Sequence, residues 1–504
     1  MEKQNIESFI NECQLALRNA LTTYPEIETT NYLQGLPKEL VEKIFRLKPL
    51  SLFIPESYGG RGGTARHRLA LLEAISYESI GVGLMMGING SLFLEPVSKY
   101  GQEETKTDIY NSFLNSSSLG GLMITEPDFG TDALSMRTSY SQIGNHVHLK
   151  GAKHWGGLTG LADFWIVTGR KIKPNNKLAR DIDLFVVDRN KREQKISVDE
   201  YYHKLGLFLI PYGLNNIDAR IPATSRLIPK TSGIKLMMDL LHRSRLRLSG
   251  IGLGFIKRML DEAVNHCRQR YVGGKSLMAY DQVQHRISLL QACFTVSSAM
   301  CHYTAGVSSI RNDLTSYALQ ANAAKSVLTD MMHDSAQSLL QLTGAKGYRR
   351  DHIAGRAVVD SRPFQIFEGS NDVMYSQVAD YVLKKMKKSK YRNLYDFLNQ
   401  LELTTNAADH FKDVISFDLN FSSVQRARVK LGKIIAKLIT ANFTFNLYET
   451  DFQEDLVDNA LEVIGNELAS MISSLKQSRL VSVVENYSEN SDWKLYQPLT
   501  TAIV

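Results

Sequence analysis

Three short segments carry polar groups where the surrounding pattern would otherwise bury apolar ones. They are Ile124-Thr125-Glu126-Pro127-Asp128-Phe129-Gly130-Thr131-Asp132, Lys153-His154-Trp155-Gly156-Gly157 and Gln365-Ile366-Phe367-Glu368-Gly369-Ser370-Asn371. Glu368 is the candidate base: a carboxylate taken out of water can remove a weakly acidic carbon-bound proton if nearby donors stabilise the developing charge. Gly369 lets backbone approach a ligand closely. The plain alternative is a carboxylate at a helix start, ahead of Asn371 to Lys388, where the dipole favours negative charge. Thr125 and Thr131 also read as turn residues around Pro127 and Gly130, and Trp155 as a core aromatic.

Other motifs lead elsewhere. Gly250-Ile251-Gly252-Leu253-Gly254 lacks the sixth-position glycine and the preceding strand of a dinucleotide fingerprint, so it reads as small residues permitting close helix packing. No histidines sit at metal-ligand spacing with a third ligand, and neither a G-x-S-x-G nor a P-loop occurs, so no metal is expected. Cys13, Cys267, Cys293 and Cys301 are scattered, as suits a reducing compartment. The charge of +7 over 504 residues is interspersed, which argues against a nucleic-acid footprint. The lysines at 384, 385, 387, 388 and 390 fall at a helix end, where cations are favoured, and membrane contact there is the minor reading. The start, Met1 to Asn5, has no apolar leader, no segment of membrane-spanning length is expected, and Thr501 to Val504 form no address signal; the cytoplasm is the expected location.

The elements that must position these residues follow from periodicity. Helical spacing runs through Ile6 to Leu21, Leu69 to Ile80 and Leu84 to Tyr100, with turn chemistry at Pro55 to Gly63. Strand-like runs follow at Gly121 to Thr125, His146 to Lys150, Phe164 to Thr168 and Asp183 to Val187. Long helical stretches return at Leu246 to Tyr271, Asp281 to Asn312, Leu314 to Leu342 and Asn371 to Lys388, and two more at Val424 to Phe443 and Leu456 to Leu475. The expectation is a mainly helical α+β protein: an N-terminal helical domain (1–119), a central β-barrel or sandwich domain (120–230), a four-helix bundle (231–390) and an extra helical module (391–504).

In this order and at these intervals, the segments resemble the acyl-CoA dehydrogenase family over roughly residues 35 to 388. Ile54-Pro55-Glu56-Ser57-Tyr58-Gly59-Gly60, the T-E-P-x-x-G-[ST]-D segment at Thr125 to Asp132, Leu260-Asp261-Glu262-Ala263, Gly344-Ala345-Lys346-Gly347-Tyr348 and the E-G-[ST] segment at Glu368 carry the resemblance. It implies FAD-dependent α,β-dehydrogenation of an acyl-CoA or acyl-carrier-protein thioester, with Glu368 taking the α-proton and its amide donating to the thioester oxygen. Within this constellation catalysis outweighs the helix-start reading.

The same resemblance assigns Ile124 and Thr125 to the pyrimidine end of the FAD ring and Trp155 to shielding the ring. Gly157 and Ser370 fall at further cofactor positions. Thr131, Gly369 and Arg245 fall on the substrate side, Thr131 towards the pantetheine arm. Arg270 is similar to the arginine that holds the pyrophosphate of a neighbouring subunit's FAD, with Gln341, Gly344 and Ala345 on the partner side, which implies a homodimer or homotetramer. Taken alone, Arg270 reads almost equally as a solvated arginine at a helix end. Ser244 carries no carboxylate, so the alternative base position of some relatives is empty.

Departures from the pattern bear on the acceptor. Gly157 stands where dehydrogenases place a Thr or Ser hydroxyl, and Trp155-Gly156-Gly157-Leu158-Thr159-Gly160 looks more like the acyl-CoA oxidase branch. Phe208 to Tyr212 replace an R-x-S-x-T segment, Gly273 replaces an aromatic, and Tyr375 stands where an arginine is common. Electrons are expected to pass to an electron-transfer flavoprotein, with O2 as the alternative. A rival of another class is a non-catalytic scaffold that docks a partner through its helical tail; it would be colourless, whereas the enzyme would be yellow.

Overall fold

The computed structural model describes residues 5–419, 424–476, 482–485, 491, 493 and 495, so the expectations on Met1 to Gln4 and Thr501 to Val504 lie outside the described residues. Asn5 accepts the Glu7 amide and starts α1 (Ile6–Thr23). After α2 (Lys38–Phe45), a reciprocal capping box between Thr64 and His67 opens α3 (Ala65–Glu78). Ser79 is extended; it separates α3 from α4 (Ile80–Gly87) and caps α4 through the Val82 amide. Periodicity predicts one helix from Leu84 to Tyr100, but the backbone widens into a π-helix over Ile88–Leu94 before α5 (Glu95–Tyr100). In that widened turn Asn89 donates to Met85 O and accepts the Gly120 amide, which ties it to the sheet. Contrary to expectation, Ile80–Tyr100 is, at 21 residues, long and apolar enough to cross a membrane; 94% of its most apolar stretch is buried in the fold, which makes it a core segment.

After α6 (Glu103–Asn115) come β1 (Gly120–Met123), β2 (Ser139–Ile143), β3 (His146–His154), β4 (Phe164–Lys171), β5 (Asp183–Asp188), β6 (Gln194–Tyr201) and β7 (Gly213–Pro222). They form one curled sheet in the order β1-β4-β2-β3-β7-β6, with β5 added on β4. β4 is parallel to β1 and β2, while the other ladders are antiparallel. From Asn215 to Ile221 buried and exposed residues alternate, as in a strand with one face in the core.

Helices resume with α7 (Gly233–Gln269), which starts at Gly233 rather than at the expected Leu246. A hairpin of β8 (Tyr271–Val272) and β9 (Lys275–Ser276) leads to α8 (Asp281–Val307), α9 (Ala318–Thr343), α10 (Ile353–Ser361) and α11 (Asn371–Ser389). The glycine run of α7 is a packing device. A Cβ on Gly254 would lie 2.1 Å from Glu73 O of α3, and one on Gly252 would lie 2.6 Å from Leu328 Cδ1 of α9. The lysine run closes α11, with Lys390 in the left-handed cap at φ 61. Beyond it, α12 (Leu394–Leu398), α13 (Thr405–His410), α14 (Lys412–Ile415), α15 (Gln425–Phe445) and α16 (Glu454–Lys476) form the tail, with α15 lying on α8, α9 and α11. The fold is thus α+β and mainly helical. Gly254→Val should overpack the α3–α7 contact at a cost of about 1–3 kcal/mol or more, read as a thermal midpoint several degrees lower; an unchanged midpoint would remove packing as the reason for the glycine.

Candidate active site

After α10 the chain makes a short turn at Arg362–Gln365 and reverses at Glu368 (φ 54) and Gly369 (φ 97), before Ser370 caps α11. A non-glycine residue in the left-handed region costs about 1–3 kcal/mol. Two buried cations hold this one in place. Arg245 of α7 donates from Nε (3.1 Å) and Nη2 (2.8 Å) to the Glu368 carbonyl, and from Nη1 to Asn322 Oδ1 at 2.7 Å. Lys325 of α9 donates to the next carbonyl, Gly369 O, at 2.8 Å and to Asn371 Oδ1 at 2.9 Å.

The carboxylate itself turns inward. Ser244 Oγ donates to Oε1 at 2.7 Å, while Oε2 is buried and has no hydrogen-bond partner. Oε2 belongs to a side chain that lines an apolar pocket walled by Leu72, Leu84, Ile88, Leu92, Leu248 and Ile251. Burial pushes the Glu368 carboxyl above its ordinary value, against the Ser244 hydrogen bond and the positive charges of Arg245 and Lys325. Burial in turn pulls the Lys325 ammonium down to about 8, against the attraction of Glu368. None of the α11 amides bonds this carboxylate, so a helix-start role does not account for it. The Glu368 amide has no partner among the described residues and remains available as a donor.

The sheet domain lies beside the pocket, with Gly157 against Ile88 of the π-helix. Lys153 is fully buried, and its ammonium donates to Ile124 O (2.9 Å), Glu126 Oε1 (2.8 Å) and Thr168 Oγ1 (2.9 Å). Glu126 also accepts the Arg137 and Thr138 amides, so one ion pair fixes the Thr125 loop to β3 and β4. Two residues past Lys153, Trp155 adopts φ 55 and is 52% exposed, beside Tyr202 and Tyr212 at ring distances of 4.7 and 5.8 Å. A Cβ on Gly157 would lie 2.7 Å from Ile88 Cδ1, so the Thr or Ser of the dehydrogenase pattern would require the Ile88 side chain of the π-helix to shift. Thr131 is exposed on its turn.

Arg270, Gln341, Gly344 and Ala345 are exposed at one end of the bundle, outside the pocket. His266, one turn before Arg270, is pushed down in pKa by burial and by the charges of Lys346 and Arg270, which places the ends of α7 and α9 side by side in one chain. Ser370 is an exposed N-cap whose side chain caps nothing. Sequence reasoning missed Lys325, Asn322, Tyr212 and Arg247. Lys325 and Asn322 had a signal: two polar side chains inside the small-residue run Ala321 to Ser326, on a helix buried nearly all round.

Fold and pocket define a class, a helical bundle and a sheet domain in one chain with a desolvated carboxylate on the wall of an apolar pocket. Residues 14–115, 121–214 and 231–383 match the N-terminal, middle and C-terminal domains of acyl-CoA dehydrogenase. An acyl-CoA dehydrogenase of Bacillus subtilis is 25% identical over 364 residues, covering 71% of this chain and 93% of that protein. The crystal structure of the Bacillus anthracis acyl-CoA dehydrogenase complexed with FAD superposes with a TM-score of 0.76 at 19% identity, over 92% of this chain and 87% of that one. The prolyl acyl carrier protein oxidase AnaB superposes with a TM-score of 0.66 at 16% identity, over 76% of this chain and 99% of that one. The chain belongs to the acyl-CoA dehydrogenase family, whose members are FAD-dependent oxidoreductases acting on the CH–CH bond of acyl-CoA.

The residues present fit such a cofactor. The Thr125 amide and hydroxyl and the Gly157 amide have no partner among the described residues, and they lie in the loops beside the exposed Trp155 ring. With Glu368 as the base, burial raises the pH at which it ionises above that of an ordinary carboxyl, and kcat/KM for acyl-thioester oxidation should rise with pH through that raised pKa. Ser244→Ala removes a donor to the ionised form, so this acidic limb should move to still higher pH. A limb that stays in place would mean that another group titrates.

Proposed function

We propose that this chain dehydrogenates the Cα–Cβ bond of an acyl thioester, acyl-CoA or acyl-carrier-protein bound, to the trans-2-enoyl thioester. The observation that carries the reading is the buried, unpartnered Glu368 Oε2 on the wall of an apolar pocket. When bound, FAD supplies the acceptor for the β-hydrogen and its electron pair. Glu368 Oε2 takes the α-proton. Its own amide donates to the thioester oxygen, where charge accumulates as the proton leaves. Ser244 holds the carboxylate through Oε1, while Arg245 and Lys325 fix the backbone that carries it and favour its ionised form. Closed off by leucines and isoleucines, the pocket keeps water from the carbanion-like centre.

Thr125, the backbone at Ile124 and Trp155 would hold the ring, Gly157 would offer its amide in place of a hydroxyl, and Thr131 would meet the pantetheine arm. Arg270, with Gln341, Gly344 and Ala345, would serve the FAD of a second copy, so the working form is a homodimer, in the cytoplasm. The electrons then pass to an electron-transfer flavoprotein. A second reading passes them to O2, and the missing hydroxyl at Gly157 favours it. The purified protein should be yellow and should bleach anaerobically on adding an acyl-CoA; colourless protein, or flavin left oxidised by every thioester tried, would end the proposal. Stoichiometric peroxide in air selects the oxygen reading. Glu368→Gln should keep FAD and slow bleaching by about 10²–10⁴-fold, since the amide retains size and loses basicity.

A further inference from the structure

The pocket contains more polar groups than a plain alkyl chain requires. Ser91, on the π-helix, is 2% exposed and Arg247, on α7, is 1% exposed. Both line the pocket with Glu368, and both present an atom, Ser91 Oγ and Arg247 Nε, that is buried without a hydrogen-bond partner. The other two nitrogens of Arg247 are engaged: Nη1 with Ala65 O at 3.1 Å, and Nη2 with Glu95 Oε1 and Ser308 O, both at 3.0 Å. Native interiors leave few such donors unpaired, and an empty pair on the wall of a ligand pocket points to the ligand as the missing partner.

The charge beneath the pocket has the sign that an oxygen acceptor needs. Arg68 and Arg247 share the single carboxylate of Glu95, and Arg243 and Lys99 share that of Asp239, all of them nearly or fully buried, with Asp313 also facing Lys99, which leaves four cations against three carboxylates. Positive charge is therefore in surplus there, which favours a partial or full negative charge above it. Position limits the ligand further. Ser244, which holds Glu368, and Arg247 are three residues apart on α7, about 4.5 Å along its axis. A group bonded to Arg247 thus sits only a few bonds from the carbon that loses its proton.

We propose that the acyl group accepted by this chain is short and carries an oxygen acceptor a few bonds beyond Cβ, bound by Ser91 Oγ and Arg247 Nε, with a carboxylate preferred over a hydroxyl by the surplus charge. The inference rests on the dehydrogenation reading and deepens it. The discriminating measurement is calorimetric binding of pentanoyl-CoA, 5-hydroxypentanoyl-CoA and glutaryl-CoA to the FAD-loaded Glu368→Gln protein, paired with anaerobic bleaching of the unmodified enzyme by the same three. The oxygenated thioesters should bind about ten-fold or more tighter than pentanoyl-CoA, glutaryl-CoA the tightest. Ser91→Ala, which only removes an unpaired hydroxyl and leaves the fold intact, should cut that ratio several-fold. Arg247→Lys, which keeps a cation beside Glu95, should abolish the preference for glutaryl-CoA.

Equal or tighter binding of pentanoyl-CoA, or a ratio unmoved in both variants, overturns the inference; bridging water would then explain the two atoms. Bleaching by pentanoyl-CoA alone also overturns it and leaves the dehydrogenation reading standing. No bleaching by any of the three, or by longer acyl-CoAs, removes both.

Discussion

A reversing turn that ends in a buried carboxylate is unstable on two counts, its backbone and its charge, and one arrangement answers both. The carbonyls of Glu368 and Gly369 accept from Arg245 and Lys325, two cations reaching in from two different helices. Those cations compensate the left-handed backbone at Glu368, and their charge also offsets part of the burial that raises its carboxyl. Removing either would leave a carbonyl and a carboxylate unsupported together. The buried cations are in turn tolerable only because those oxygens are there. Neither half is stable alone, so α7 and α9 must be held in register with the turn.

Much of the remaining architecture serves that register. The glycines of α7 admit α3 on one side and α9 on the other, at distances no side chain would allow. Bringing α3 close also brings α4 and the π-helix over Glu368, and their leucines and isoleucines make the pocket dry enough to raise its pKa. The same π-helix sets Ile88 against Gly157 and ties Asn89 to the start of β1, so the sheet is fixed to an element that lines the pocket. The Lys153–Glu126 pair fixes the sheet side from within. It lies beneath the loop bearing Thr125 and two residues before Trp155, and its burial lowers the Lys153 pKa to about 8 without breaking the pair.

Which parts could be read from sequence follows from the range of the forces involved. The helix after Glu368 was legible because apolar period is local, as were α8, α9, α15 and α16; Glu368 itself stood out only through the resemblance of several motifs in register. The first turns of α7 were not. Asp239 and Arg243 interrupt the apolar stripe, yet they are buried through partners such as Lys99 and Asn312 that are distant in sequence. The π-helix left no trace either, since its widening depends on Asn89 reaching Gly120 in another domain. Lys325 stands out only by its small-residue surroundings, for its partners are Gly369 O and Asn371 Oδ1, more than forty residues away.

The tail extends this logic to the far side of the base. α15 meets α11 so closely that a Cβ on Gly432 would fall 1.8 Å from Tyr375 O, and Tyr375 is left 2% exposed. Its hydroxyl donates to Asp330 Oδ2 at 2.8 Å, and Asp330 Oδ1 accepts from Gln365 and Asn371, both at 2.7 Å. Asn371 accepts in turn from Lys325. A hydrogen-bonded chain therefore runs from the tail contact to the cation that holds Gly369. Such networks strengthen when water is excluded and weaken when one member can exchange partners with solvent. By covering Tyr375, the tail helix keeps the supports of Glu368 in that dry regime, so it belongs to the frame of the active site even though it contributes nothing to the pocket wall.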